Sequence, residues 1–262
     1  MHSADVIHAI RQIESQLFVR EVEWFVELPS TNDHALAKAA EADPVLPRLI
    51  WAERQTAGRG RGSNAWWSAP GALTCSLLID GPAIGLPPSC WPQVSMLTAL
   101  AVADVLQQFL PMERIGLKWP NDVQIDGRKV CGILVESAGD RQRRLVVGMG
   151  LNVGNSFRHA PAELQSQAVA LADVLAKPPS LPEVLTEWLQ RWWELVQLLR
   201  EGRLNLAERW SPQCVLSHER IRLTRGADSV EGVCRGITRD GALLLEVGGR
   251  LERHWTGTAR RA

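Results

Sequence analysis

Five residues, Gly58-Arg59-Gly60-Arg61-Gly62, carry three glycines and two arginines directly after an apolar strand pattern, Leu49 to Ala52. Glycine lets a backbone turn sharply and approach a ligand with its N–H groups exposed. Arginine adds a permanent, forked positive charge suited to carboxylate and phosphate oxygens. A strand that empties into such a loop predicts a small-anion site at the end of a sheet. Taken alone, the run reads more readily as a solvated Gly/Arg turn, so the rest of the chain has to decide.

The chain has 262 residues and a formal net charge of zero, enough length for one large domain, or one large and one small. A balanced charge offers no general surface for nucleic acid or membrane. Lysine is scarce: Lys38, Lys118, Lys129 and Lys177 are the whole set, and two of them fall in the motif-dense middle. The five cysteines are scattered without C-x-x-C spacing, which argues against a disulfide framework and a zinc site. Cys75 and Cys131 lie in apolar runs and read as buried. The N-terminus lacks a signal pattern, and no apolar run approaches the roughly 18 residues of a membrane span. A cytoplasmic setting is the expectation.

Val6, Ile7, Ile10, Ile13 and Leu17 share one face of a first helix. Val22 to Leu28 reads as a strand, followed by N-cap candidates Ser30-Thr31-Asn32-Asp33 and an Ala-rich helix through Ala42. Strands follow at Leu49 to Ala52 and Ala72 to Ile79, then a helical spacing over 91–110. Asp126-Gly127, between Val123/Ile125 and Val130/Ile133, is a two-residue hairpin signal. Leu145 to Met149 continues the sheet, and 182–201 is an apolar helix whose tryptophans read as core. After Trp210-Ser211-Pro212 the pattern changes to short strands and turns, which suggests a small β-barrel on an α+β domain, divided as 1–212 and 213–262. His159, His218 and His254 show no partner pattern and read as surface residues.

Four further clusters carry chemistry. Ser30-Thr31-Asn32 sits between a strand end and a helix start, where hydroxyl and amide groups can cap the helix or meet a polar ligand. Lys118-Trp119-Pro120-Asn121-Asp122 groups a cation, an aromatic ring, an amide and a carboxylate; Asn and Asp there suit a turn, a base, a metal or a hydrated phosphate. Lys129 projects from the start of an apolar strand, with Gly132 three residues on allowing close approach of a ligand. Gly148-x-Gly150-x-Asn152 ends another strand. It lacks the third glycine of a dinucleotide fingerprint, and no P-loop pattern occurs.

In this order, these pieces resemble the biotin protein ligase family. The carriers are Ser30-Thr31-Asn32, Gln55-Thr56-x-Gly58-Arg59-Gly60-Arg61, Trp66 or Trp67 with Ser68, Lys118 to Asp122, Lys129-x-x-Gly132-Ile133-Leu134-x-Glu136, and Gly148-x-Gly150-x-Asn152. Gly232-x-x-x-Gly236-Ile237-x-x-x-Gly241-Ala242-Leu243-Leu244 is similar to the family's C-terminal SH3-like domain. The resemblance runs from about residue 20 to the end. It implies an α+β fold, a mixed-sheet catalytic domain with a small C-terminal SH3-like β-barrel. It also implies an enzyme that joins biotin to ATP, with Mg²⁺, as biotinyl-5′-adenylate, then passes biotin to one lysine of a biotin carboxyl carrier protein.

By resemblance, Ser30, Thr31, Asn32 and Gln55 hold the ureido end of biotin. Arg59, Gly60 and Arg61 form the carboxylate and phosphate loop, and Gly132 and Leu134 line the biotin pocket. Lys129 meets the carboxyl group and the α-phosphate. Arg59, Arg61 and Lys129 supply the positive charge of catalysis, since the reaction drives a carboxylate against a phosphate. Trp66, Asn121 and Asn152, with Arg61 and Lys129, surround ATP. No metal ligand is assigned, with Asp122 the candidate beside Mg²⁺ carried by the phosphates.

Two departures stand out. Gly62-Ser63-Asn64-Ala65 follows Arg61 where many bacterial members continue with basic residues. Only 29 residues precede Ser30, too few for the DNA-binding domain of bifunctional members, so neither DNA nor membrane is an expected partner. The competing readings are a lipoate or octanoate ligase of the same fold and a non-catalytic biotin- or adenylate-binding module.

Overall fold

Period-two alternation decides this architecture, because it sends each strand's residues to opposite faces of one sheet. The computed structural model describes residues 3–138 and 143–262. Helix α1 (Ser3–Gln16) leads into strand β1 (Glu21–Leu28), helix α2 (Thr31–Ala39), and strands β2 (Arg48–Gln55) and β3 (Ala72–Asp80). Helix α3 (Trp91–Leu106) precedes β4 (Ile115–Lys118), β5 (Asp122–Ile125), β6 (Arg128–Ala138) and β7 (Arg144–Asn152). Two single-turn helices, α4 (Ala162–Gln165) and α5 (Leu171–Val174), lead to the long α6 (Leu181–Arg200) and short α7 (Leu206–Trp210). Strands β8 (Arg220–Arg225), β9 (Asp228–Ile237), β10 (Leu243–Val247), β11 (Arg250–His254) and β12 (Thr258–Arg261) complete the chain.

The first seven strands form one mixed sheet in the order β1-β2-β3-β7-β6-β5-β4, with β1 and β2 parallel and the other pairs antiparallel. Leu73, Cys75, Leu77 and Ile79 of β3, with Leu145, Val147, Met149 and Leu151 of β7, pack in one core with α3 and α6. Ile50, Leu78 and Val146 face the other way, onto Ala35 and Ala39 of α2. The alternate residues beyond α2, namely Ser76, Gly148, Gly150, Gly132, Leu134 and Glu136, therefore share the sheet face on which α2 and the 56–66 loop lie. The fold puts the glycines there.

Most expected elements form, with shifted ends. The Ala-rich helix stops at Ala39 rather than Ala42, and α3 stops at Leu106. Ile7 is exposed, and Ala9 replaces it beside Val6 and Ile13 on the buried face of α1. Trp188 and Trp192 are core residues; Trp192 donates to Thr98 at 3.1 Å. Helix α3 is long and apolar enough, with its preceding turn, to pass a composition test for a membrane span, yet most of it is buried inside the protein. Asp126 and Gly127 take φ values of 51° and 78°, the left-handed pair that a two-residue hairpin demands. His254 corrects its reading as a surface residue: it is buried, with Glu252 at 3.1 Å, while His218 is exposed and the His159 side chain lies outside the described residues.

The second sheet is antiparallel, β11-β10-β9-β8-β12, and docks on the first through named contacts. Trp119 Nε1 donates to the Gly241 carbonyl at 3.1 Å, and the Val215 N–H donates to Leu117 O at 3.1 Å. Gly241 has φ +92° and lies so close to Met96 that a Cβ there would sit 2.0 Å from its Cε. The left-handed backbone at 241 favours glycine, and a side chain there would also push the Met96 terminus aside.

Candidate active site

A cavity of about 150 Å³ lies where α2, the ends of β2, β5, β6 and β7, the 56–66 loop and β12 converge. Its lining includes Ser30, Thr31, Asn32, Gln55, Arg59, Gly60, Arg61, Trp66, Asn121, Lys129, Gly132 and Leu134, twelve of the thirteen residues expected to bind ligand. The thirteenth, Asn152, sits elsewhere. It is buried beneath the cavity, where Nδ2 donates to Val169 O at 3.2 Å and to Lys129 O at 3.5 Å, and Oδ1 accepts from Asn155 at 3.0 Å. Its observed contacts fix the Lys129 backbone instead of reaching the open space.

The polar floor begins at the N-terminus of α2. Ser30 is the N-cap, its hydroxyl accepting from the Asp33 N–H at 3.3 Å. Thr31 directs its N–H, at 2.7 Å, and its hydroxyl, at 3.1 Å, to Gln55 Oε1, which leaves the Gln55 amide nitrogen as the donor end. Ser76 on β3 donates to Asn32 Oδ1 at 2.6 Å, and Asn32 Nδ2 donates to Glu136 Oε2 at 2.8 Å. Asn32 can lie this deep only because Gly148 has no side chain; a Cβ there would sit 1.9 Å from Asn32 Oδ1. Ser76 and Glu136 were not assigned roles from sequence. Their signal was present in strand alternation, but the sheet order that brings β3 and β6 to Asn32 was not.

The opposite end is cationic. A register shift opposite Val123/Gln124 interrupts the β5–β6 ladder between Lys129 and Cys131, near the start of β6. Lys129 N–H donates to Gln167 O and Val169 N–H to Lys129 O, which holds its backbone from the other side. Its Nζ is 2.6 Å from Asp122 Oδ1 and 5.9 Å above the Trp66 ring. Trp66 lies over two glycines: a Cβ at Gly150 would meet the indole at 2.3 Å, and one at Gly132 at 3.2 Å. Its indole N–H is buried without a partner among the described residues.

Arg61 donates to Asn121 Oδ1 at 3.3 Å and to the Gly257 carbonyl at 3.2 Å, so the loop reaches the second sheet. Burial lowers the Arg61 pKa, opposed by Asp122. Lys118 also lines the cavity, and burial lowers its pKa too; Asp122 opposes this, and Lys129, Arg260 and Arg261 add to it. Arg61, Lys118 and Lys129 thus face a single carboxylate, Asp122, a surplus of positive charge in a partly dry space that favours a polyanion.

Arg59 is engaged differently from the expectation. Its fork meets Glu136 at 3.1 and 2.7 Å, and Nη2 lies 2.7 Å from Asp33. Hydrogen bonding to Glu136 holds its pKa above the ordinary value. Glu136 and Asp33 together balance its charge in this structure.

Among the described residues no group of three or more His, Cys, Asp or Glu could hold a metal ion, and Asp122 is already paired with Lys129. A protein-built metal cage does not fit this cavity.

The sequence pattern of the Biotin/lipoate A/B protein ligase family matches residues 24–153, and that of the Biotin protein ligase C terminal domain matches 217–257. A Biotin--[acetyl-CoA-carboxylase] ligase of Mycobacterium tuberculosis is 32% identical over 88% of this chain and 85% of its own length. The Bifunctional ligase/repressor BirA of Escherichia coli is 30% identical over 94% of this chain and 75% of its own. The biotin protein ligase from Aquifex aeolicus, solved in complex with biotin and ATP, superposes with a TM-score of 0.78 at 27% identity, covering 93% of this chain and all of that one. A mixed sheet whose glycine-arginine loop closes a half-polar, half-cationic cavity is the architecture of a protein ligase of the biotin/lipoate class. The chain belongs to that family, and within it to the biotin protein ligases.

Proposed function

We propose that this enzyme condenses biotin with MgATP to biotinyl-5′-adenylate, releasing pyrophosphate, and transfers biotin to a lysine of a biotin carboxyl carrier domain. The observation that carries the substrate is the buried polar floor. Thr31, Asn32, Gln55 and Ser76 form a fixed network of donors and acceptors, already hydrogen-bonded to one another, into which a polar ring can exchange bonds and to which an aliphatic acyl chain offers none. A ureido ring, with one carbonyl and two N–H groups, suits such a floor. That disfavours lipoate or octanoate as substrate.

Chemically, a biotin carboxylate oxygen attacks the α-phosphorus and the bond to pyrophosphate breaks. Both partners are anions, so the barrier falls in proportion to positive charge fixed at their meeting point. Lys129 is proposed there, with Arg61 closing the loop and Lys118 toward the leaving phosphates. Trp66 and Asn121 are the proposed neighbours of the nucleotide, and Gly132 and Leu134 of the biotin chain. Asn152 supports Lys129 from below. Mg²⁺ enters as part of the substrate MgATP. In the second step the neutral amine of the carrier lysine attacks the acyl carbon and AMP leaves. Residues 1–212 hold the chemistry, and 213–262 close its far wall through Thr258 and Ala259.

Pyrophosphate release is the test of the first step. Biotin with MgATP should give a burst, and lipoate with MgATP should give none. Binding of biotin without any release would instead support a non-catalytic module.

A further inference from the structure

One carboxylate joins the floor of the pocket to the loop that covers it. Glu136 stands on the pocket face of β6, two residues beyond Leu134. Its Oε2 accepts from Asn32 at 2.8 Å, and its two oxygens take both ends of the Arg59 fork. Arg59 closes the circuit on Asp33, the residue next to Asn32 in α2. A continuous line of polar contacts therefore runs from Ser76 through Asn32 and Glu136 to Arg59, from the buried end of the cavity to the 56–66 loop.

We infer that Glu136 is a positioning residue, the keeper of a latch that couples occupancy of the Asn32 pocket to closure of the loop. The inference rests on the reading of Asn32 as a contact of the bound biotin. Bidentate Arg–carboxylate pairs are directional as well as strong, so the fork holds only while Glu136 keeps one rotamer. Asn32 Nδ2 helps set that rotamer, and Asn32 is itself fixed by Ser76 and by the Leu134 carbonyl at 3.3 Å. A ligand that engages Asn32 stiffens the line, which steadies Arg59. By linkage, closing the loop tightens the pocket by the same factor. The work divides between the two loop arginines: Arg59 latches, while Arg61 stays beside Asn121 and the cationic end.

Limited trypsinolysis of the full chain tests this, with cleavage after Arg59 and Arg61 read by intact mass, without ligand and with saturating biotin. Glu136→Gln keeps an acceptor for Asn32 but removes the charge that holds the fork. Ligand-free cleavage should rise about tenfold, and protection by biotin should shrink. In steady state the loss should fall on KM for biotin, about tenfold, and far less on kcat or on KM for ATP. Arg59→Gln should expose the Arg61 site to the same degree, and the double variant should be no worse than either single one. Cleavage of Glu136→Gln within about twofold of wild type, or additive effects in the double variant, would overturn the latch. The ligand-free arm judges the latch without reference to biotin. Absence of biotin protection in the wild type would instead count against the biotin reading.

Discussion

Lys129→Gln is expected to abolish most adenylate formation, with kcat falling roughly 100- to 1,000-fold, or about 3–4 kcal/mol of transition-state stabilisation. The lysine is the cation held most firmly at the junction of the polar and cationic halves. Its backbone is clamped between β5 and the 167–169 segment, and its ammonium is pinned between Asp122 and the Trp66 ring. Removing it also strands the Asp122 carboxylate, which then repels the incoming phosphates. Asp122→Asn separates the two effects, because it keeps the cation and discards the repulsion. Its loss should be smaller than that of the lysine variant in a pyrophosphate-release assay. Equal losses would place the carboxylate, and not the lysine, at the centre of the chemistry.

Gly148→Ala should cost the enzyme its biotin while leaving ATP binding nearly intact. A Cβ at 148 would lie 1.9 Å from Asn32 Oδ1 and 2.8 Å from its Cγ, closer than real Cβ atoms come to any neighbour. The strand backbone is held on both sides by β3 and β6, so the amide must give way. Asn32 then loses Ser76 and Glu136 together, two buried bonds of which one is charge-assisted, about 3 kcal/mol in sum. Biotin affinity measured by titration calorimetry should fall about 100-fold. The double variant Asn32→Ala/Gly148→Ala supplies the control: with the obstructing amide gone, the alanine at 148 should add little to the asparagine loss.

The loop and motifs were legible because their chemistry is local. Gly-Arg-Gly-Arg, the Ser30 cap and the Asp126-Gly127 hairpin each declare themselves within a few residues. Alternation in β3, β6 and β7 sorted residues into two faces, but it could not say which face α2 would leave open. That choice decides the rest. Arg59 and Glu136 are 77 residues apart and meet only because β6 lies beside β7 in the sheet order. Asn152 looked like a ligand contact because it follows two pocket glycines at spacing two, and it does share their face. The strand has by then passed under the 153–169 segment, which covers it. Lys118 was visible as a rare lysine, yet its burial and its crowding by Lys129, Arg260 and Arg261 come from the tertiary fold. His254 could not be called buried from an isolated histidine in a charged strand.

The central claim is that the cavity makes biotinyl-adenylate and delivers biotin to a carrier lysine. Incubating the full chain with MgATP, a biotin carboxyl carrier domain, and either biotin or lipoate, then weighing the carrier intact, tests it most directly. One biotin-sized increase in mass is expected, none with lipoate, and none with Lys129→Gln over the same interval. An increase with lipoate alone, or an unmodified carrier despite folded enzyme and pyrophosphate release from another acid, would contradict it.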